Sequence, residues 1–457
     1  MSSHDGLPDD PALPQLRSAL DGSVMAEHFA DVLRGHGAIV EACTVERVKY
    51  RPRRNCTLSY RLQLRDEASG RRHEQRVAAR LCSADEIGPR HARADAAADW
   101  VPSPAGPAMS RLPRLDMLTW WWPNDPKLMA PAVLADARSL REQWLPPVLS
   151  VLATDAAVLT GHELEVVQYV PEHRLTARVD LHWQLGGRTQ SQAVYAKSSR
   201  EPDGASAHAI LRTLQSSAAW QAGRLNTPRA LLWQPQAQLH WQQGVGGRAL
   251  LDLPPAQAAA LAPSLGAQLA ALHGIPVALT RSITPDAMRT RLAEVQALLA
   301  DALPQAQADL ARAVRRLARG MHWVQGQPLA TLHGDLHPRN VLADGRHLSL
   351  IDLDGLRRGP ALLELGSWWA DGIYRAVLEG DAPLRDAPAW QGLLAGYAQG
   401  GGTPPASSAL AWSAAWNLLT QRAWRCVVNL KPGRFAIAPR LVALAAELAD
   451  AALPEAA

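Results

Sequence analysis

Two stretches of this chain repeat one spaced pattern, and this repetition limits the possible folds more than any other feature. Residues 49–62 read KYRPRRNCTLSYRL and residues 168–181 read QYVPEHRLTARVDL. Identical residues recur 119 positions apart and keep their order. The aligned pairs are Tyr50 with Tyr169, Pro52 with Pro171, Thr57 with Thr176 and Leu62 with Leu181. The sequence therefore predicts that one unit of about 120 residues occurs twice.

Both copies show the pattern of antiparallel strands. Apolar and polar residues alternate in CTLSYRLQL and in RLTARVDLHW, which is typical of half-buried strands. The pairs SG at 69–70 and GG at 186–187 then predict a turn into a third strand, RVAARL or QAVYAK. A helical pattern precedes each copy, near residues 24–34 and 138–152. We therefore expect each copy to combine a small sheet with a helix.

The remainder of the chain has helical periodicity. Residues 255–273 and 285–321 carry apolar residues at helical spacing, and Pro304 interrupts the second run. The run GVGG at residues 244–247 predicts a hinge in front of this helical part. The expected domains are residues 1–133 and 134–247, which hold the two strand-rich copies, and residues 248–457, which are mainly helical.

Composition excludes several classes of protein. With 47% apolar residues among 457, the chain has the material for a sizeable core and is not disordered throughout. A net charge of +4 is too small to indicate a nucleic-acid or membrane partner, and no apolar run reaches the length of a membrane span. The four cysteines form no CxxC pair, and the N-terminal residues show no signal-peptide pattern. We therefore expect reduced thiols in a cytoplasmic protein.

The chemistry is concentrated in residues 331–355, TLHGDLHPRNVLADGRHLSLIDLDG. Gly334 and Pro338 predict a loop, and the two short strands that follow are joined by Asp344-Gly345, a signal for a two-residue hairpin. The hairpin is expected to carry the chain back, so that three polar side chains meet. These are Asp335, Asn340 and Asp352.

This set of side chains suits phosphoryl transfer to a hydroxyl group. A carboxylate can orient the acceptor and take its proton, while two oxygen ligands hold Mg²⁺ against the phosphates of a nucleotide. The spacing of Asp335 and Asn340 is that of a kinase catalytic loop. A zinc site on His333 and His337 is disfavoured, because Gly334 stands where such a motif has glutamate and the segment is not helical. We expect His333 to support the loop.

With these residues in view, HGDLHPRNVL…IDLDG resembles the catalytic signature of the aminoglycoside phosphotransferases and their relatives, which include choline, homoserine and sugar kinases. LGAQLAALH at 265–273 is similar to the first helix of that family's large lobe. GPALLELGSW is similar to the segment after the metal-binding Asp, with Glu364 where the family usually has Asp. The resemblance implies an α+β, bilobal protein-kinase-like fold with a strand-rich small lobe, here duplicated, and a mainly helical large lobe.

The resemblance also implies roles for individual residues and two cofactors, ATP and Mg²⁺. The catalytic base falls on Asp335 and the metal ligands on Asn340 and Asp352, with Asp354 behind them. Lys197 corresponds to the lysine that binds the phosphates of ATP. Backbone near Gln243 and Val245 corresponds to the segment that binds adenine.

Three departures from the family pattern leave an alternative open. The loop VPEHRLTA lacks the glycine-rich cradle of protein kinases, and the helix GASAHAILRTLQSSAAW contains no acid to pair with Lys197, since Glu201 precedes it. The first copy has Arg80 at the position of Lys197, and no catalytic loop follows it. We therefore expect the first copy to be non-catalytic. The alternative is a weak or inactive pseudokinase that binds a nucleotide or a partner.

The acceptor is expected to be a small molecule, a sugar or related compound rather than an aminoglycoside. Residues 421–440 contain five basic residues and no acid, whereas a polycationic antibiotic favours an acidic pocket. Tryptophans in this part of the chain could stack on a sugar ring or, as the favoured interpretation, fill the helical core. The tryptophans are Trp368, Trp369, Trp412, Trp416 and Trp424, and the basic residues are Arg422, Arg425, Lys431, Arg434 and Arg440. The oligomeric state stays open.

Overall fold

The computed structural model describes residues 7, 10–83, 86–89, 92, 100–200, 204–381, 388–430 and 433–453; Glu201 and Lys431 lie outside these ranges. The chain divides into two compact units. The first comprises Met1–Gly204, Leu231–Trp241 and Val428–Phe435, and the second comprises Ala205–Ala230, Gln242–Val427 and Ala436–Ala457. The expected boundaries after residues 133 and 247 stay a prediction.

Each strand-rich copy contains a five-stranded antiparallel sheet. The first sheet is formed by β1 (Ala38–Arg51), β2 (Asn55–Asp66), β3 (Arg72–Cys82), β4 (Met109–Leu112) and β5 (Met117–Trp121). The second is formed by β6 (Val158–Val170), β7 (Arg174–Leu185), β8 (Arg188–Ser199), β9 (Ala230–Gln234) and β10 (Leu239–Gln243). The strand orders, β1-β2-β3-β5-β4 and β6-β7-β8-β10-β9, are the same, which confirms the predicted duplication.

In the first copy, a buried carboxylate holds the turn between the first two strands. Asp10 Oδ2 accepts hydrogen bonds from the Tyr50 hydroxyl and from the Arg53 backbone N–H, both at 2.8 Å. Arg53 has φ 58°, in the left-handed region that short turns require. The buried carboxylate therefore stabilises a backbone conformation that arginine rarely adopts.

The second copy repeats this arrangement. Asp125 Oδ2 accepts from the Tyr169 hydroxyl at 2.7 Å and from the backbone N–H of Glu172, φ 63°, at 2.9 Å. Asp125 Oδ1 accepts in addition from the backbone N–H groups of Lys127 and Leu128. Both aspartates stand before proline in the sequence, a match that the repeat comparison missed because its offset is shorter than that of the strands.

The two copies also contact each other through the tip of the β6–β7 turn. The carboxylate of Glu172, only 5% exposed, lies 3.2 Å from Arg80 Nε and 2.5 Å from Lys127 Nζ. His173 Nε2 lies 2.8 Å from Lys49 Nζ. The arginine that stands in place of Lys197 is therefore engaged by the second copy.

Alternating residues of the first sheet face two apolar cores. One face packs against the helix Gly22–Val32, with Leu58, Tyr60 and Trp121 around Phe29. The opposite face contributes to a core shared with the second copy, in which Trp120 and Trp241 are both buried. Burial of apolar surface on both faces explains why β3 and β5 carry apolar residues at successive positions, whereas β2 keeps the apolar–polar alternation of a strand with one apolar face.

Helices precede each of the two sheets in the described part of the first unit, as expected. They are α1 (Leu16–Leu20), α2 (Gly22–Val32), α3 (Ala130–Ala135), α4 (Ala137–Ser139) and α5 (Leu145–Leu152), with a π-helical turn at Leu140–Trp144. Asp21 begins α2 by accepting from the backbone N–H groups of Ser23 and Val24. Asp136 begins α4 in the same way, through the Ser139 N–H.

The rest of the chain is mainly helical, which confirms the α+β class. Its helices are α6 (Gly204–Ser216), α7 (Ala218–Gln221), α8 (Pro255–His273), α9 (Pro285–Ala302), α10 (Gln307–Arg319), α11 (Ala361–Glu379), α12 (Pro388–Gln399), α13 (Ser407–Asn417), α14 (Trp424–Asn429) and α15 (Arg434–Ala452). Two small sheets, β11-β13-β14 and β12-β15, interrupt them. Their strands are β11 (Arg248–Ala249), β12 (Ala330–Leu332), β13 (Val341–Asp344), β14 (His347–Leu350) and β15 (Arg357–Gly359).

Close packing in the helical part depends on small residues. A Cβ on Gly266 of α8 would lie 2.0 Å from the carbonyl oxygen of Leu393, so glycine allows α8 and α12 to approach. Trp412 and Trp416 of α13 are buried, and their rings stack 5.9 Å apart. These two tryptophans fill the core, the favoured interpretation of the sequence. None of the helices within the described ranges is long and apolar enough to cross a membrane.

Candidate active site

The segment that carries the chemistry begins with a loop, residues 333–340, which we call the Asp335 loop. It follows β12 and ends in a single 3₁₀ turn at Pro338–Asn340. Gly334 has φ 80°, and a Cβ there would lie 2.2 Å from the carbonyl oxygen of Gly355. Only glycine fits where these two backbone segments cross. Because a φ of this sign is not that of a right-handed helix, no helix passes through Gly334.

The predicted hairpin returns the chain to this loop. Strands β13 and β14 are antiparallel, with Asp344 paired to His347, so the two-residue turn lies one position later than the sequence suggested. After β14, the Ile351 N–H donates to the carbonyl oxygen of Asn340 at 3.0 Å. Asp352 thus directly follows a residue bonded to Asn340.

Within the Asp335 loop, Asn340 is held by its own side chain. Its Nδ2 donates to the backbone carbonyl of Asp335 at 3.0 Å, and its backbone N–H donates to the carbonyl of His337 at 2.8 Å. Because the amide nitrogen is used in this bond, the amide oxygen Oδ1 is the atom suited to a cation. A carboxylate and an amide oxygen are ligands that Mg²⁺ prefers, so Asp352 and Asn340 fit this metal. In the described part of the chain, no group of three or more His, Cys, Asp or Glu side chains is arranged so that it could hold a metal ion.

His333 supports the Asp335 loop, as expected. Its ring is fully buried, and Nε2 lies 2.9 Å from the carbonyl oxygen of Ile351, which ties the loop to the hairpin. His333 therefore holds the loop to the hairpin, a role different from the zinc binding that its spacing from His337 could have suggested. His337 instead approaches Asp335, with Nε2 4.0 Å from Oδ2.

A buried carboxylate that received no role from the sequence lies beneath the loop. Glu364, at the start of α11 and 4% exposed, accepts from the backbone N–H groups of His333 at 2.9 Å and Gly334 at 2.8 Å. Its Oε2 also lies 2.9 Å from His273 Nε2, and His273 Nδ1 lies 2.9 Å from the Tyr397 hydroxyl. Burial by itself raises the pKa of Glu364, but the hydrogen bond and charge of His273 hold it below the usual range.

The carboxylate of Asp335 is 28% exposed and forms an ion pair with Arg425 of α14. Arg425 Nη2 lies 3.1 Å from Asp335 Oδ1. Burial by itself raises the pKa of Asp335, but the positive charge of Arg425 lowers it overall, so the group is ionised at neutral pH. The sequence placed Arg425 in a basic segment and gave no reason to join it to Asp335.

The residues predicted to bind the nucleotide lie on defined elements. Lys197, in β8 of the first unit, is buried and paired in register with Thr176, just as Arg80 is paired with Thr57 in the first copy. In the second unit, the Gln243 N–H donates to the Arg229 carbonyl at 2.8 Å, and Val245 is partly exposed. The binding roles of Lys197, Gln243 and Val245 stay predictions.

The predicted hinge is anchored to the hairpin. After Val245, β11 pairs with β13 of the hairpin through Arg248 and Ala249. Gly247 has φ 108°, and a Cβ there would lie 2.5 Å from the carbonyl oxygen of Ala343. The glycine-rich run therefore provides a close approach of backbone to β13.

Comparison with known proteins gives one family and several solved structures. Residues 189–412 match the model of the phosphotransferase enzyme family. No curated protein sequence matches the chain. Similar structures include a thermostable mutant of aminoglycoside phosphotransferase APH(4)-Ia in complex with ADP and hygromycin B, at 14% identity and TM-score 0.43 over 64% of this chain and 94% of that chain.

Two further structures have names that refer to choline or ethanolamine kinases. A choline/ethanolamine kinase family protein from Mesorhizobium loti has 17% identity and TM-score 0.43 over 64% of this chain and 92% of that chain. Choline kinase from Cryptosporidium parvum has 10% identity and TM-score 0.45 over the same shares.

The family match covers the stretch from β8 to α13. It includes Lys197 and the whole segment from the Asp335 loop through the hairpin to Glu364. The resemblance first indicated by the signature is thereby confirmed: residues 189–412 carry the pattern of the phosphotransferase enzyme family, that of the aminoglycoside phosphotransferases and their small-molecule kinase relatives.

Proposed function

We propose that this protein is an ATP- and Mg²⁺-dependent phosphotransferase that phosphorylates a hydroxyl group of a small molecule in the cytoplasm. The observation that carries the proposal is the bonding of the Asp335 loop to the hairpin. Asn340 bonds to the backbone of Asp335 through its side chain and to the backbone N–H of Ile351 through its carbonyl, so the backbone at Asp335 and the residue before Asp352 are both tied to Asn340. A base and two metal ligands are what transfer to a hydroxyl requires.

Each residue then has a distinct task. Asp335 is ionised and reaches solvent, so it can orient the acceptor hydroxyl and accept its proton. Asn340 and Asp352 would hold Mg²⁺, which supplies charge neutralisation for the phosphates of ATP. Lys197 would bind those phosphates, and backbone at Gln243 and Val245 would bind adenine.

A sugar or related compound suits the site better than an aminoglycoside. The carboxylate of Asp335 is already paired with Arg425, and Arg422 lies near enough to lower the pKa of Asp335 further. Both guanidinium groups repel a polycation, whereas that of Arg425, which is partly exposed, can donate hydrogen bonds to the oxygens of a sugar. Trp424 is engaged by Arg291, whose guanidinium carbon lies 4.1 Å from the centre of the ring.

A second candidate is a pseudokinase that binds a nucleotide without transferring phosphate. It is favoured by the ion pair that occupies Asp335 and by the absence of an acid in α6, whose sequence is GASAHAILRTLQS. The two functions differ in one measurable property, since both predict nucleotide binding and only the first predicts a phosphorylated product.

The deciding experiment compares the natural protein with Asp335→Asn. Binding of MgATP is measured by calorimetry, and transfer to a panel of sugars, amino alcohols and aminoglycosides by mass spectrometry. We expect Asp335→Asn to bind MgATP normally and to transfer phosphate about 10²- to 10⁴-fold more slowly, the range for loss of a general base. Asp286→Asn, an exposed aspartate, is the matched control.

The outcomes separate the candidates. A product with the natural protein and a large loss in Asp335→Asn supports the phosphotransferase. MgATP binding with no product from any acceptor supports the pseudokinase. Equal transfer by Asp335→Asn and the natural protein contradicts the assignment of the base.

A further inference from the structure

Arg425 and Arg422 lie near the carboxylate of Asp335, and Arg291 lies near Arg425. We call Arg291, Arg422 and Arg425 the arginine cluster. Arg291 belongs to α9, while Arg422 and Arg425 stand on either side of the junction between a π-helical turn, Leu418–Ala423, and α14. Such π-turns are rare and frequently lie at functional sites. Arg291 also donates from Nη2 to the Thr420 carbonyl at 2.9 Å, which joins α9 to this turn.

One member of the arginine cluster serves the structure. Arg422 is buried and lies 3.2 Å from Asp371, whose other carboxylate oxygen accepts from Arg375 at 2.9 Å. A buried guanidinium paired with a buried carboxylate is fixed in place, because breaking the pair would leave an uncompensated charge. Arg422 therefore positions the turn and is not available to a ligand.

The other two members are accessible. The side chain of Arg425 is 38% exposed, and Arg291 keeps its guanidinium over the Trp424 ring with 32% of the side chain exposed. The carboxylate nearest Arg291 is that of Glu294, at 3.8 Å and itself 63% exposed, a weak contact. Burial lowers the pKa of Arg291, and the positive charge of the nearby Arg425 lowers it further.

A further arginine lies near the Asp335 loop. Arg357 approaches the Asp335 loop as well, but it donates to the carbonyl oxygens of Gly334 and Gly355, which do not neutralise it. Arg425 and Arg291 thus add two further guanidinium groups beside the one carboxylate of Asp335. An anion that entered here would find donors already in place.

The ion pair between Arg425 and Asp335 has a chemical consequence. Arg425 Nη2 occupies the Oδ1 atom of Asp335, at 3.1 Å, and thereby competes with an acceptor hydroxyl for this carboxylate. A neutral acceptor would leave this pair intact. An acceptor with its own anionic group would offer Arg425 a competing partner.

We propose that the acceptor is an anionic hydroxyl compound, such as a sugar acid or a sugar phosphate, and that its anionic group binds Arg425 and Arg291. This inference rests on the proposed phosphotransferase function. Binding draws Arg425 from Asp335 and frees the carboxylate for the acceptor hydroxyl. Arg425 then both selects the acceptor and couples its arrival to release of the base.

The reaction is balanced without any further reagent. The acceptor oxygen forms a bond to the γ-phosphorus of ATP, and the bond from that phosphorus to the bridging oxygen breaks. ADP leaves with the electron pair of the broken bond. The hydroxyl proton passes to the Asp335 carboxylate and then to solvent.

The test uses acceptors that differ only in charge. A sugar acid is paired with its sugar alcohol, a sugar phosphate with the free sugar, and an aminoglycoside provides the cation. Each is offered with MgATP to the full-length protein, and kcat and KM are measured separately. We expect an anionic member to have the highest kcat/KM.

Variants of Arg425 then identify the residue responsible. Arg425→Met should lower kcat/KM for the anionic acceptor by about 10- to 100-fold, as loss of one or two charge-assisted hydrogen bonds implies, and change that for the neutral partner much less. Arg425→Lys should restore part of the loss. Arg440→Met is the matched control, because it removes an exposed arginine, paired with Glu447 at 3.3 Å, outside the arginine cluster.

The possible failures are distinguishable. If charged and neutral acceptors react equally, or if Arg425→Met affects both alike, the anionic acceptor is refuted and the phosphotransferase function stands. If no acceptor is phosphorylated and Asp335→Asn behaves as the natural protein does, both fall. Thermal denaturation of each variant shows whether it is folded. If Arg425→Met is not folded, the kcat/KM values of Arg425→Lys are compared with those of the natural protein instead.

Discussion

Replacement of Glu364 by alanine tests whether one buried carboxylate holds the Asp335 loop. In the structure Glu364 is the acceptor for the backbone N–H groups of His333 and Gly334 and a partner of His273, at distances between 2.8 and 2.9 Å. Alanine removes these carboxylate oxygens, so the N–H groups of His333 and Gly334 and the ring of His273 lose their partner in a site that is almost inaccessible to water.

The magnitude follows from these three bonds. A buried donor left without an acceptor costs about 1–3 kcal/mol, and water that enters the vacated volume offsets part of the sum. We therefore expect Glu364→Ala to lower the free energy of unfolding by about 3–5 kcal/mol, a value typical of breaking a buried charge network. Glu364→Gln keeps one side-chain oxygen and should lose less.

Two assays report this effect. Urea denaturation followed by tryptophan fluorescence gives the free energy of unfolding. Amide hydrogen exchange of the Asp335 loop gives the local effect, since the His333 and Gly334 N–H groups should lose protection first. Glu379→Ala, an exposed residue of the same helix, is the control and should change stability by no more than about 0.5 kcal/mol.

The dependence on pH provides a second test. Because the pKa of Glu364 is lowered in the folded protein, its stabilisation is present above its usual pKa of 4.5 and is lost as the pH falls through the lowered value. The difference in stability between the natural protein and Glu364→Gln should therefore shrink in acid. Unaltered unfolding and unaltered exchange in Glu364→Ala would refute the argument that this carboxylate holds the loop.

Four further substitutions have expected outcomes. Gly334→Ala places a Cβ 2.2 Å from a carbonyl oxygen at φ 80°, so we expect a loss of about 1–3 kcal/mol in urea denaturation and slower phosphate transfer. Asp10→Ala and Asp125→Ala should each destabilise their own copy by about 2–4 kcal/mol, seen by hydrogen exchange at the following turns; an effect in neither copy would contradict the shared role. Burial and the charge of Lys49 lower the pKa of His173 from its usual 6.5 to about 4. Between these two values the unfolded chain binds a proton at His173 and the folded chain does not, so the free energy of unfolding decreases as the pH is lowered, by at most about 1.4 kcal/mol per pH unit. His173→Gln should remove this slope in urea titrations at successive pH values.

The first copy shows which features could be predicted from the sequence and which contacts could not. Alignment of Tyr50 with Tyr169 predicted a duplicated sheet, and the common strand order confirms it. It could not predict that Arg80 approaches Glu172, because the two residues belong to different copies and no local pattern relates them. The expectation that the first copy is non-catalytic is consistent with this contact and stays a prediction.

The sequence by itself determined the features that local backbone rules govern. Alternation gave the strands, the glycines and prolines gave the loop and its hairpin, and the order of Asp335, Asn340 and Asp352 indicated the chemistry. These signals are readable because side-chain period and turn conformation depend on residues a few positions apart.

Only the tertiary structure decided which distant side chains meet. Glu364 lies 31 positions from His333, and Arg425 lies 90 positions from Asp335, yet each pair is in contact. Such contacts depend on how whole helices pack, and packing is set by the shape and burial of many residues at once. The residues that hold the loop and those that we propose select the acceptor therefore became identifiable only once the chain was folded.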